Sequence, residues 1–140
     1  MASNMSDLFE KSLIDHVLKT DGSTTYAAIT SGSIYAGLCT AAPTDTATNE
    51  CEAGSYARAQ VEFIAAVSGD AGCIGPSASV AFPSASASWG DIVGYALFPY
   101  TSGSTGISAY LAYGVVSPSV AVAVNDTVSF AASALTLSFA

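Results

Sequence analysis

From about residue 26 onward the chain consists of short segments of β-branched and aromatic residues separated by Gly, Ser, Pro and Asn. That punctuation predicts antiparallel strands joined by turns, in a sandwich or barrel. The expected class is mainly β: an antiparallel β-sandwich of about eight strands over residues 26–140, with a jelly roll among the topologies left open. Residues 34–40 form one predicted strand. Residues 58–64 form a second, with Val61 and Phe63 facing one way and Gln60 and Glu62 the other, so that one face is wet. Residues 78–82 follow and are closed by Pro83. Residues 91–98 and 107–116 read as hairpin neighbours, because TSGSTG at 101–106 offers glycines for positive φ and hydroxyls for turn hydrogen bonds. Residues 120–124, a turn at Asn125-Asp126, and residues 127–130 and 135–139 complete the set, the last placing Leu135, Leu137 and Phe139 on one face.

Residues 1–22 follow a different pattern. Phe9, Leu13 and Val17 repeat at i, i+4, with Ile14 and Leu18 beside them, which predicts one amphipathic helix between Asn4 or Ser6 as N-cap and Gly22 as the stop. Asp7 and Glu10 lie near its positive end and Lys19 near its negative end, complementing the macrodipole. Its apolar face needs a partner.

At 140 residues the chain is expected to be a single domain, long enough for a core without disulfides or metals. Apolar residues make up 51% and charged residues only 10%, against a typical charged share of about 25%. A chain of this size buries only about 68 to 70% of the surface its unfolded form exposes, so apolar area must stay outside. Such area is the mark of a contact with another protein, which points to obligate assembly. The competing reading is that Ala and Gly dominate the excess and are tolerable on a surface.

Eleven acids face only Lys11, Lys19 and Arg58, a formal net charge of −8. No basic patch can then neutralise phosphates, which argues against nucleic acid and against an anionic membrane surface as partners. No run of about 18 apolar residues occurs, so a soluble chain is expected. The first 20 residues lack a cationic start followed by a clean hydrophobic stretch and do not read as a signal peptide, implying synthesis in a cytoplasm. Cys39, Cys51 and Cys73 are an odd set without CxxC spacing, fitting neither a disulfide framework nor a zinc site. Reduced cysteines are expected, with Cys39 to Cys51 the one pairing to check.

The chain is poor in catalytic equipment. His16 is the only histidine and sits at helical spacing between Ile14 and Val17, as a structural histidine would. There is no GxSxG, HExxH, phosphate-binding Gly-rich loop or EF-hand spacing. No catalytic, cofactor-binding or metal-ligating residue is assigned. Residues 41–55 read as a long exposed loop, whose Glu50 and Glu52 are closest to a carboxylate pair but look merely solvated. Asp45, Glu50 and Glu52 could gather round calcium, without spacing to support it. Aromatics are the more informative set: Trp89, Tyr95, Phe98, Tyr100, Tyr110 and Tyr113 fall in two consecutive predicted strands. Core packing and subunit contact compete for them, since Tyr and Trp bury large area while keeping a polar tip. The interface candidates are Phe9, Leu13 and Val17 on the helix and Trp89, Tyr95, Tyr100, Tyr110 and Tyr113 on the strands.

Five blocks occur in order: YAGLCTAAPTD at 35–45, GSYARAQVEF at 54–63, VAFPSASASWGDIVGYALF at 80–98, AYLAYGVV at 109–116 and VNDTVSFAASALTLSF at 124–139. Over nearly the whole chain this layout resembles a family of small tailed-bacteriophage virion proteins, among them tail fibre proteins and capsid cement or decoration proteins. The resemblance implies a β-sandwich body, a non-enzymatic role in the virion and symmetric homo-oligomers, often trimers. It transfers no functional residues. The first expectation is a cement protein bridging major capsid protein subunits by burying apolar area between them. The alternative is a tail fibre or adhesin component that binds host glycan.

Overall fold

A computed structural model of the chain describes residues 3–5, 34–63, 76–101, 110–132 and 134–135. Its strands are β1 (Ser3–Met5), β2 (Ile34–Cys39), β3 (Ala59–Val61), β4 (Val80–Ala81), β5 (Gly90–Phe98), β6 (Ala112–Val122) and β7 (Ser129–Phe130). Five form an antiparallel sheet in the order β1-β6-β5-β2-β3, and β4 pairs with β7 in a second, two-stranded sheet. The mainly β, antiparallel class is therefore what forms, as five strands plus two among the described residues.

The two sheets share one core. β2 sends Ala36 and Leu38 into it, β3 sends Val61, and the small sheet contributes Val80 and Phe130, joined by Phe82, Trp89 and Leu135. Phe130 meets Tyr95 edge-on at 6.0 Å and Phe82 at 6.1 Å, so aromatic rings bridge the layers. On β5, Ile92 and Tyr95 both reach this core although strict alternation would put them on opposite faces. The pairing with β6 explains it. The register breaks between Ile92 and Gly94, where Ile92 faces Val120 but Gly94 faces Val115, and this irregularity resets the alternation.

The same irregularity corrects one expectation. Residues 107–116 and 120–124 read as two separate strands on the sequence pattern. Instead β6 runs unbroken from Ala112 to Val122. Pro118 lies in the unpaired stretch between Val115 and Val120, where its missing N–H removes no ladder bond. The hairpin pairing of β5 with β6 is present, while residues 102–109, including most of its turn, lie outside the described residues.

A second correction concerns the amino terminus. Asn4 is not a helix cap: it pairs with Tyr113 in β1, on the free edge of β6. The remainder of the predicted helix, with Phe9, Leu13, His16 and Val17, lies outside the described residues, as do Cys73 and residues 136–139. The expected turn near Asn125 forms. Asn125 takes φ 72° and the Asp126 carboxylate accepts the Ala123 N–H at 2.9 Å, a conformation and a bond that suit Asn and Asp in turns.

Candidate functional site

The second face of the large sheet, opposite the main core, carries the most distinctive chemistry. Alternation along the strands puts Cys39, Ala96, Phe98 and Tyr113 there, with Tyr110 and the partly buried Tyr100 beside them. The rings follow one another edge to face or tilted, Tyr100 to Phe98 at 6.1 Å, Phe98 to Tyr110 at 6.3 Å and Tyr110 to Tyr113 at 6.0 Å. Such a face would be open to solvent if residues 41–55 made no contact with it.

Most of residues 41–55 are exposed, as the loop reading expected, but Pro43 and Cys51 are buried and the segment folds back on the sheet. After β2 the chain reverses, with Cys39 bridged to Glu50 and Cys51 N–H donating to Leu38 O at 2.8 Å. A tight turn closes between Thr44 and Ala47, through Thr44 N–H to Ala47 O at 2.8 Å and Ala47 N–H to Thr44 Oγ1 at 3.1 Å. This hairpin lies across the sheet. Pro43 is buried over Gly94, where a Cβ would stand 2.5 Å from Pro43 Cδ, so only glycine lets the loop come this close. The Tyr110 hydroxyl donates to Thr44 O, and the Tyr113 hydroxyl donates to Asp45 Oδ1 at 2.9 Å. The loop is thus a lid held by the polar tips of the rings it covers.

At its far end the lid is fastened by an ion pair. Arg58 Nε donates to Glu50 Oε1 at 2.8 Å and its Nη2 to Glu50 Oε2 at 2.6 Å, the two-pronged geometry that guanidinium and carboxylate share. Nη1 donates to Tyr100 O at 3.1 Å, and the guanidinium lies 3.4 Å above the centre of the Phe98 ring. The Tyr56 hydroxyl donates to Glu50 Oε1 and accepts the Leu38 N–H, both at 2.8 Å. The side chains are 8% and 18% exposed for Arg58 and Glu50, so the pair is nearly dry. Gly37 makes room for it: a Cβ there would fall 2.7 Å from both Glu50 Oε1 and Phe98 Cε2.

The environment moves three ionisable groups. Burial raises the Tyr56 phenol well above its ordinary range, with the Glu50 charge adding to the effect. Burial alone would lower Arg58, but the hydrogen bonds and charge of Glu50 outweigh it and leave the guanidinium more firmly protonated. Cys39 is pushed from 9.0 up to about 12, first by burial and then by Glu50. Cys39 and Cys51 are both free thiols, buried in different clusters, Cys39 on the lidded face and Cys51 in the main core.

A pH dependence follows from these shifts. A thiol or phenol whose pKa is raised by folding holds its proton more tightly in the native state, so its contribution to stability is complete below the unfolded-state value. It is lost as pH rises toward the native value. The contribution of Cys39 should therefore be constant below pH 9.0 and be lost between there and about 12, by up to about 1.4 kcal/mol per pH unit, with Tyr56 adding to the fall at the alkaline end. Urea unfolding across that range checks the slope. In a Cys51→Ala/Cys73→Ser background, which leaves Cys39 as the one thiol, Cys39 should also stay unlabelled by a thiol reagent at neutral pH until the chain unfolds, since the thiolate is the reactive form.

Of the residues singled out from the sequence, Trp89, Tyr95, Tyr110 and Tyr113 are buried within this chain, and Tyr100 is partly buried under Arg58. Phe9, Leu13 and Val17 lie outside the described residues. Glu50 and Glu52 do not act as a pair: Glu50 turns inward to Arg58 while Glu52 is exposed. Asp45, Glu50 and Glu52 are not brought together either, and among the described residues no three of His, Cys, Asp and Glu are placed to hold a metal ion. Arg58 was missed as a functional residue. The signal for it was its rarity, one of three cations in the whole chain, standing at the head of a strand.

No curated protein matches the chain. The profile of a phage protein family, described as podophage GP4 fiber I protein gp80, matches residues 4–138. That span takes in the lid, the Arg58–Glu50 clamp and both sheets, and the chain therefore belongs to the podophage GP4 fiber I protein gp80 family of bacteriophage structural proteins.

Proposed function

We propose that this protein is a non-enzymatic building block of a podophage tail fibre, working as a homo-oligomer, a trimer on the earlier resemblance, and contributing to contact with host-surface glycan. The observation that carries this reading is the family match over residues 4–138, whose description is that of a fibre protein. The first expectation from the sequence, a capsid cement protein on the major capsid protein, gains no support from that match, whereas the fibre alternative does. A passive role is supported by the engagement of the acids at the lidded face, Glu50 bonded to Arg58 and Tyr56 and Asp45 to Tyr113. A protein fastened in this way resists deformation, which a fibre subunit needs.

Stoichiometry separates the two readings. Closed symmetric assembly at the tail predicts copies on the order of tens per particle, whereas coverage of a capsid predicts on the order of hundreds. Quantitative mass spectrometry of purified particles should give the lower figure, with antibody label at the tail. Hundreds of copies spread over the head would overturn the fibre reading.

A further inference from the structure

One edge of the large sheet is left open. β1 pairs with Ala112, Tyr113 and Gly114 of β6, and across residues 115–122 the outer side of β6 has no strand partner among the described residues. The large apolar side chains most exposed among the described residues fall on this stretch or just past it: Val115 at 51%, Val120 at 44% and Val124 at 52%. Pro118 and Ala121 between them are exposed as well. Val115 shares the lidded side of the sheet with Tyr113, two residues before it, whereas Val120 stands opposite Ile92, on the core side. The apolar surface therefore wraps around the edge as a ridge instead of lying flat on either face.

Two properties of the ridge decide what can cover it. Addition of a strand is disfavoured, because Pro118 has no N–H to give and the irregularity around it interrupts the row of backbone groups, both devices that keep sheet edges from joining. Contact must then be made by side chains. The second property is charge. No charged residue lies between Asp91 and Asp126; these two acids flank one end of the ridge, and the exposed Asp45, Glu52 and Glu62 lie elsewhere. A cationic partner would find its counter-charges at those acids and not among the valines. A second copy carries the same net charge of −8, and burying one of its acids against the valines would strip the carboxylate of water without supplying a counter-ion. Among the described residues, the part of a second copy that meets the ridge without that cost is the same ridge. Like surfaces meet one another in this way at the rotation axis of a symmetric oligomer.

We propose, on the homo-oligomer reading above, that the ridge 115–124 at the outer edge of β6 is where one copy of this chain packs against the same ridge of another. An edge that takes no further strand cannot propagate as a growing sheet, so the contact closes the assembly instead of extending it.

The test is analytical ultracentrifugation of the full chain over a wide range of concentration, at low and high salt. Self-association should appear, and salt should strengthen it by screening the flanking Asp91 and Asp126. Val120→Glu combined with Val124→Glu should raise the dissociation constant on the order of 100-fold, because like charges are brought face to face. Gln60→Glu adds an acid at the opposite edge of the large sheet and should leave it nearly unchanged. In a Cys73→Ser background, Val120→Cys should form a disulfide between copies under mild oxidation, since Cys39 and Cys51 are buried and the new thiol is the accessible one. Unchanged association of the double Glu variant would overturn the ridge while leaving the homo-oligomer to another surface. Absence of the cross-link in a chain that associates would overturn the pairing of like ridges. A wild-type chain that stays monomeric would overturn both the ridge contact and the homo-oligomer. If the double Glu variant of that monomer also melted lower, the cover of the ridge would be the chain's own remaining residues. Copy number and tail location are measured independently of these outcomes and decide the fibre reading separately.

Discussion

Arg58→Ala is expected to destabilise the protein by about 3 to 5 kcal/mol, the cost of leaving a buried partner charge without its counter-ion. Glu50 would keep only the Tyr56 hydroxyl of its present hydrogen bonds, at 18% exposure and beneath the lid. The guanidinium would also vanish from the face of Phe98, and Tyr100 O would lose a donor. Arg58→Lys should recover little of this, because an ammonium cannot span both carboxylate oxygens and lie flat on a ring together. The contrast with the double variant is informative. Arg58→Met with Glu50→Leu removes both charges and should cost distinctly less than Arg58→Ala, because what is expensive is the orphaned charge. Urea unfolding of the three variants would check the order. If Arg58→Ala melts with the wild type, the clamp does not hold the lid.

Trp89→Ala is expected to cost a similar amount, about 3 to 5 kcal/mol, through loss of a large buried ring and the cavity left behind. Trp89 is 3% exposed and meets Tyr56 edge-on at 5.5 Å, while its backbone N–H, which alanine would keep, donates to Val122 O at 3.0 Å. Trp89 thus supports Tyr56, which in turn holds Glu50, so the damage should reach the lid as well as the core. Thiol labelling of Cys39 reports that directly. With Cys51→Ala and Cys73→Ser in both chains, so that Cys39 is the one thiol, the Trp89→Ala variant should label faster than its parent under native conditions. Were Trp89 instead a contact between subunits, the isolated chain would keep its stability and only its assembly would suffer. Calorimetry paired with sedimentation on the same sample distinguishes the two outcomes.

The elements legible in the sequence are those governed by near neighbours along the chain. The strands around residues 34–39 and 90–98, the outward set of Gln60 and Glu62 against the inward Val61, and the turn at Asn125 all follow from alternation or from turn chemistry. The unbroken β6 was not legible. Pro118 is tolerable there only because β5 supplies no partner opposite it, and that depends on a register set between strands. The lid was hidden for the same reason. Nothing in AAPTDTATNECEAGS says that Pro43 will lie on Gly94, or that Asp45 will meet a tyrosine 68 positions later.

The sequence by itself therefore determined the class, the position of most strands, the scarcity of charge and the family, since these are written in local pattern and in the order of motifs. Tertiary structure alone decided which aromatic face is covered, what becomes of the chain's single arginine, and which apolar residues stand on the open edge of β6. Those outcomes depend on which surfaces meet in space. A buried charge is stable only where its counter-ion is delivered, and delivery is a property of the folded topology.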